Sequence, residues 1–365
     1  MQSMHNNILL LFTKFGRGGG AEKHILALAE EFSRKGYKVV SATQGGAGVP
    51  SLKERSSAYY KLPDCGNNMI NLIFTIMALC YIVKKENIYL IHSHHRFCAF
   101  AAWIVSKFIK VKALSTSHNI FQGKINITRW GDYVIAVSEG AKRQVVDDCH
   151  FDEEKVVVIY NGIHRPAKIP ERDKEEVFQK LNLKEGYPVI CNIGRLTEQK
   201  GPSIFLSAIE KVVQREPDLQ VLMVGEGELR KELEEQAREL GIRTNVIFTG
   251  FREDIPVILQ ISQFLVGSAL WEGFPYSIIE ALANGTPVIA TRVGGVPEAV
   301  IDDCTGYLVE PNDAVDLADK ILYLIRHKEK IEEFGENGRR LYEEKFAFDR
   351  MIEQTEKVYQ QLLCG

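Results

Sequence analysis

Short apolar runs, each followed by a stretch long enough for a helix, recur along the whole chain and limit its folding choices more than any other feature. They lie at Asn7 to Phe12, Lys38 to Ala42, Ile88 to Ser93, Lys112 to Thr116, Tyr133 to Val137 and Val156 to Ile159. A second set follows near 188–193, 219–224, 245–248, 263–267, 287–290 and 307–309. A helix over about Ala21 to Lys35, closed by Gly36, separates the first two runs. Repeated strand–helix alternation of this kind builds mostly parallel sheets. At 365 residues the chain exceeds one typical core, so two α/β domains are expected, 1–165 and 166–347. The polar, charged stretch Ile163 to Gly186, which carries Pro166 and Pro170, reads as the linker between them.

The second half carries the more specific chemistry. The run that starts at Pro188 ends at Gly194-Arg195, and Gly201-Pro202 opens the next helix. Arg195 and Lys200 therefore bracket a strand-to-helix loop at the carboxyl edge of a sheet, where open α/β proteins bind ligands. An arginine forks two phosphate oxygens and a lysine adds a point charge. Further on, Glu272-Gly273-Phe274-Pro275-Tyr276-Ser277 leads through Ile278-Ile279 to Glu280, and Asn284-Gly285 supplies a left-handed stop. Glu272 thus lies in a loop and Glu280 about one and a half turns inside a helix. The free N–H groups between them suit an anion. A ligand with both hydroxyls and phosphate, such as a nucleotide sugar, matches that combination. The main chain at Gly250-Phe251-Arg252, after another strand, offers a rest for a base.

In the first half, Gly16-Arg17-Gly18-Gly19-Gly20-Ala21 fits the glycine pattern of dinucleotide-binding proteins. That reading needs an acid closing the second strand, and Val39-Val-Ser-Ala-Thr-Gln44 has none, so a nicotinamide dehydrogenase is not expected. His118 follows a strand end. His94-His95-Arg96 follows another; adjacent loop residues seldom complete a metal-ligand set, so they read as an acceptor-binding rim. Arg17 and Glu22 are assigned to the acceptor as well, with a surface salt bridge as the alternative.

Gly194-Arg-Leu-Thr-Glu-Gln-Lys200-Gly201, followed by Glu272-Gly-Phe-Pro-Tyr-Ser-Ile-Ile-Glu280-Ala, resembles the retaining glycosyltransferases of family four, which have the GT-B fold. Gly18-Gly-Gly-Ala-Glu22, Val137-Ser138, Asn161-Gly162-Ile163 and Thr291-Arg-Val-Gly-Gly295-Val-Pro-Glu298 extend the resemblance over nearly the whole chain. It implies two Rossmann-like domains facing across a cleft, with a last helix, about 348–363, crossing back onto the first. It implies donor contacts from Gly18, Gly19, Gly20, Gly250, Phe251, Gly273, Phe274, Pro275, Tyr276 and Ser277. It also implies a histidine, His118, on the donor sugar, Glu272 on sugar hydroxyls, Glu280 on the ribose, and Arg195 and Lys200 on the leaving diphosphate. His164 departs from the family pattern, which usually has Asp there. The sequence contains no Asp-x-Asp, so no metal and no cofactor are expected. The implied activity is transfer from a nucleotide sugar, UDP-linked by expectation, to an anionic or lipid-linked acceptor in polysaccharide or glycolipid synthesis. Two rivals are an epimerase of the same fold, which would need no acceptor, and an inactive binding scaffold.

Charge divides unevenly. Residues 1–165 hold 21 Lys+Arg against 13 Asp+Glu, and the remainder 24 against 35. The basic half suits an anionic acceptor or an acidic membrane surface, with no nucleic acid expected. Seven cysteines without a Cys-x-x-Cys pair indicate neither a disulfide framework nor a zinc ribbon. No secretory signal is read, so a cytoplasmic location is expected, with the inner face of a membrane as the alternative placement, and the Asn126-Ile-Thr128 sequon carries no weight. The apolar segments Met69 to Val83 and Ala99 to Val111 are too short to span and read as buried helices, with a membrane-edge patch as the weaker alternative.

Overall fold

The structure, a computed structural model, describes residues 6–64, 69–121 and 128–364. The chain forms two compact units, Met1–Asn161 with Asp349–Gly365, and Gly162–Phe348. The first unit holds a seven-stranded parallel sheet of β1 (Asn7–Leu11), β2 (Lys38–Thr43), β3 (Ala58–Lys61), β4 (Leu90–Ser93), β5 (Lys112–Ser117), β6 (Tyr133–Ala136) and β7 (Val156–Val158). Their order is β3-β2-β1-β4-β5-β6-β7. The second holds β8 (Val189–Ile193), β9 (Gln220–Val224), β10 (Val246–Gly250), β11 (Leu265–Gly267), β12 (Val288–Thr291) and β13 (Gly306–Val309), in the order β10-β9-β8-β11-β12-β13.

Both are doubly wound α/β sheets, so the fold is that expected from the alternating pattern. Strand order reverses between β1 and β4 and again between β8 and β11. Chains leaving neighbouring strands there diverge to opposite faces, which opens a crevice at the carboxyl edge. Val, Ile and Leu dominate the strands because both faces are covered: Leu9, Leu11, Val40 and Ile91 join one core, and Ile190, Val221, Met223 and Ile289 another.

From Asp349 onward, the helix Phe348–Cys364 belongs to the first unit. Tyr359 is fully buried there, its ring 4.6 Å from that of Phe32 and its hydroxyl 2.7 Å from His92 Nδ1. Three readings are corrected. The stretch expected as linker contains a helix, Glu171–Lys180, which packs against the helix Ile255–Ile261 with Val177 as its buried residue. One buried apolar position in ten is too few to show a period. The short edge strand β3 was not expected; half-exposed Ala-Tyr-Tyr-Lys shows no buried run. The helix Met69–Glu86 is not buried all round, since Met69, Ile70, Ile73, Phe74, Met77 and Tyr81 are exposed. Asn126 of the sequon lies outside the described residues, and the six described cysteines are all unpaired thiols.

Candidate active site

At the carboxyl edge of the second sheet, five loops are tied to one another by main-chain hydrogen bonds. Gly194 N donates to Val224 O (3.0 Å), Leu196 N to Glu226 O (3.0 Å) and Gly225 N to Gly250 O (2.9 Å). Across the switch point, Leu270 N donates to Gln199 O (2.8 Å), Gln199 Nε2 to Trp271 O (3.1 Å) and Ser268 Oγ to Lys200 O (3.0 Å). Gly295 N closes the set on Gly273 O (3.1 Å). Two glycines make this closeness feasible. Gly201 has φ +56° and Gly225 φ +138°, and a Cβ would fall 2.1 Å from Ser268 O and 1.9 Å from Gly194 O respectively.

The side chains singled out in the sequence hang on this frame. Lys200 is paired with Glu272, which is 7% exposed, so the cation and the acid that read as separate tools are held together in this structure. Arg195 points to solvent, with Nη2 donating to Gln199 Oε1 at 3.3 Å. The helix Tyr276–Asn284 starts behind Pro275, has no side-chain cap and ends on Gly285 at φ +71°, the left-handed stop expected. Ser277 and Glu280 lie half-buried in it. Phe274 and Tyr276 are buried: the Phe274 ring packs 5.2 Å from that of Phe346, and burial, then the Glu280 charge, raises the Tyr276 phenol. What these two residues offer a ligand is therefore backbone. Phe251 is half exposed beside Gly250 (φ +76°), while Arg252 is held by Asp254 (Nε to Oδ1, 2.8 Å).

Sequence reading missed the loop after β9. Glu226 lies where a Cβ on Gly250 would meet its Oε1 at 2.8 Å, and it accepts from Arg230 Nη1 at 2.8 Å. The signal was present as Gly225-Glu-Gly227 directly after an apolar strand.

In the first unit, Gly19 caps the helix Gly20–Arg34, Gly18 has φ +78°, and Glu22 folds back so that its Oε1 accepts from Gly16 N at 3.1 Å. The glycine loop thus already holds one carboxylate. Arg17 Nε donates to Ala47 O (3.2 Å). The rim expected at His94-His95-Arg96 is only partly a rim. His95 caps the helix Arg96–Phe108, and Arg96 bonds Thr128 Oγ1 (3.1 Å) and lies over the Phe121 ring. His94 is 3% exposed and turns inward, its Nδ1 3.0 Å from His118 Nε2. His24, which sequence reading passed over, joins them, and ring nitrogens of His24, His94 and His118 lie within 4.8 Å of one another. Spacing argued against a metal set on adjacent loop residues, but folding assembles a three-imidazole group from three different elements. His164, in the second unit, stacks on Phe348 with ring centroids 3.7 Å apart.

Burial holds this group neutral. It lowers His24 to about 4, against a raising bond from Asn161, and takes His92, His94 and His118 well below the ordinary range, with neighbouring imidazoles as the second cause. A folded-state pKa below the unfolded one means that the unfolded chain takes up protons first as pH falls. Stability is therefore full above about 6.5 and is lost as pH drops toward 4, by on the order of 3 kcal/mol for His24 alone. Urea unfolding across that range should show the slope, and His24→Leu should flatten it. An unchanged slope in that variant would remove His24 as its source.

Two family models cover most of the chain. Glycosyltransferase Family 4 matches residues 18–165 and Glycosyl transferases group 1 matches residues 173–341. The chain belongs to glycosyltransferase family four. The N-acetyl-alpha-D-glucosaminyl L-malate synthase of Bacillus anthracis is 26% identical over 77% of this chain and 77% of its own. The UDP-Gal:alpha-D-GlcNAc-diphosphoundecaprenol alpha-1,3-galactosyltransferase of Escherichia coli is 27% identical over 72% of this chain and 73% of its own. Among solved structures, Anabaena HepE in complex with UDP-glucose superposes with a TM-score of 0.85 at 22% identity, covering 97% of this chain and 99% of that one. The family-four chain is thus a GT-B glycosyltransferase of two Rossmann-like units.

Proposed function

We infer that this glycosyltransferase moves a sugar from a UDP-sugar to an anionic or lipid-linked acceptor, with retention of configuration and without a metal. The observation that carries the donor reading is the tied frame at the second switch point. It holds Arg195, the Lys200–Glu272 pair and the uncapped start of the Tyr276–Asn284 helix on neighbouring loops. As the bond from sugar to phosphate breaks, negative charge grows on the diphosphate and positive charge on the sugar. Fixed donors that meet the growing charge more strongly than the ground state lower the barrier. Arg195, Lys200 and the N–H groups around Ser277 take that role, so no cation is called for. Glu272 orients sugar hydroxyls while keeping Lys200 in place. Glu280 accepts from the ribose, and the main chain at Gly250-Phe251 receives the base. On family resemblance, Gly18 to Gly20 and His118 are assigned to the diphosphate and transferred sugar; by residue type and place in their loops, Arg17, Glu22, His95 and Arg96 are assigned to the acceptor. Retention follows if the acceptor attacks from the face the phosphate leaves, with the phosphate taking the acceptor's proton. The names of the relatives support both ends of the reading: the Escherichia coli protein is named for UDP-Gal and a diphosphoundecaprenol-linked acceptor.

The test is calorimetry with UDP, GDP, ADP and their sugars in EDTA, followed by product analysis of anomeric configuration. Tight binding of uridine nucleotides alone is expected, and Glu280→Ala should weaken it about tenfold, the loss of a charge-assisted hydrogen bond. Equal binding of all three bases would defeat the uridine assignment. Activity lost in EDTA and restored by a divalent ion would defeat metal independence and direct attention to His24, His94 and His118.

A further inference from the structure

The helix Met69–Glu86 carries a second apolar face, turned away from the sheet. Ile70, Ile73, Phe74, Met77 and Tyr81 recur at helical spacing and are 48–62% exposed, with Met69 at 70% beside them. The opposite face, which packs on the sheet, carries Asn71 and Thr75 at 0% exposure among Leu79, Ile82 and Val83, and the Thr75 hydroxyl has no partner. A helix that only had to cover this sheet would put its large apolar side chains inward and its polar ones outward. Contiguous exposed apolar faces of this kind mark interaction surfaces.

Charge selects the partner. From Met69 to Lys112 the sequence carries Lys84, Lys85, Arg96, Lys107, Lys110 and Lys112 against a single acid, Glu86, which is already engaged by Lys38 (2.7 Å) and Tyr60. The neighbouring helix Arg96–Phe108 packs against Met69–Glu86 and ends on Phe108, 82% exposed. Each helix returns the chain to the start of the next strand, β4 and β5, so their terminal lysines gather at the same, amino edge of the sheet. Lys85 Nζ lies over the rings of Tyr60 (5.4 Å) and Tyr81 (5.3 Å), and Lys107 Nζ over Trp103 (5.6 Å). Aromatic rings beside lysines whose stems lie along apolar surface suit a headgroup boundary. A second copy of the same face would set five lysines against five, which a two-fold contact cannot relieve.

We propose that the exposed face of the Met69–Glu86 helix, with Phe108 and the flanking lysines, docks the chain on an anionic lipid bilayer. The helix lies in the plane of the surface; among the described residues no helix is long and apolar enough to cross. The inference is independent of the donor reading, because none of these side chains belongs to the transfer site.

The experiment is flotation of the full chain with vesicles of phosphatidylcholine alone and of phosphatidylcholine with phosphatidylglycerol. Binding is expected only to the anionic vesicles, and raised salt should weaken it. Phe74→Ser with Met77→Ser should reduce it about tenfold or more, as should Lys107→Glu with Lys110→Glu. Calorimetric nucleotide binding should be unchanged in both, which keeps a folding defect and a failure of the donor reading distinguishable from a failure of docking. Wild-type flotation by the Phe74/Met77 variant, or no flotation by the parent chain, would overturn the proposal. So would a parent chain that dimerises without lipid and becomes monomeric in that variant, since the face would then belong to a second copy.

Discussion

Arg195→Ala is expected to lower turnover by about two to three decades, the 3–4 kcal/mol scale of losing one preorganised donor to developing charge. The fold should not notice. Arg195 is exposed and its guanidinium makes a long bond to Gln199, while the loop that carries it is positioned by Gly194 N and Leu196 N bonding Val224 O and Glu226 O. Donor affinity should change less than turnover, because the contact strengthens only as the phosphate gains charge. Arg195→Lys should recover part of the rate, since it restores a cation but not the two-pronged fork. Steady-state kinetics with a thermal melt decides the matter. A normal rate in Arg195→Ala would take the leaving phosphate away from this residue.

Lys200→Met is expected to damage both stability and rate. It leaves the carboxylate of Glu272, whose side chain is 10% exposed, without its cation. Removing one member of such a pair strands the other, at about 3 kcal/mol, the lower end of the range because Lys200 itself keeps 22% of its side chain exposed. Pairing it with Glu272→Gln removes the stranded charge, so most of the stability should return while turnover stays low. Urea unfolding and initial rates of the two single variants and the double variant form a complete cycle. Stability that stays low in the double variant would show that something other than the ion pair ties these loops.

The architecture was legible because strands buried on both faces write themselves as unbroken apolar runs, and the helix stop at Gly285 because it needs a left-handed residue. The loops around Arg195, Lys200 and Glu272 could be located because they follow such runs at a carboxyl edge. What escaped depends on contacts far apart in sequence. His24, His94 and His118 come from three elements, and no local pattern brings them together. The Lys200–Glu272 pair spans 72 positions and joins loops on either side of a switch point. The segment Met69 to Val83 misled for another reason: when nearly every position is apolar, period shows a helix but not which side faces the sheet. There the two polar residues, Asn71 and Thr75, point inward together with Leu79, Ile82 and Val83, and five large apolar side chains point out.

The loops of the second unit are joined to each other mainly through main-chain atoms, with Gly201 and Gly225 supplying the room. Side chains projecting from that lattice can therefore be exchanged without displacing their neighbours. Glu226 and Phe251 are free to vary in this sense, whereas the two glycines are not. A lineage built on such a frame can drift from one donor to another by single replacements, each intermediate still folded. A designer seeking a new sugar or base preference would start at those two positions and leave the glycines alone.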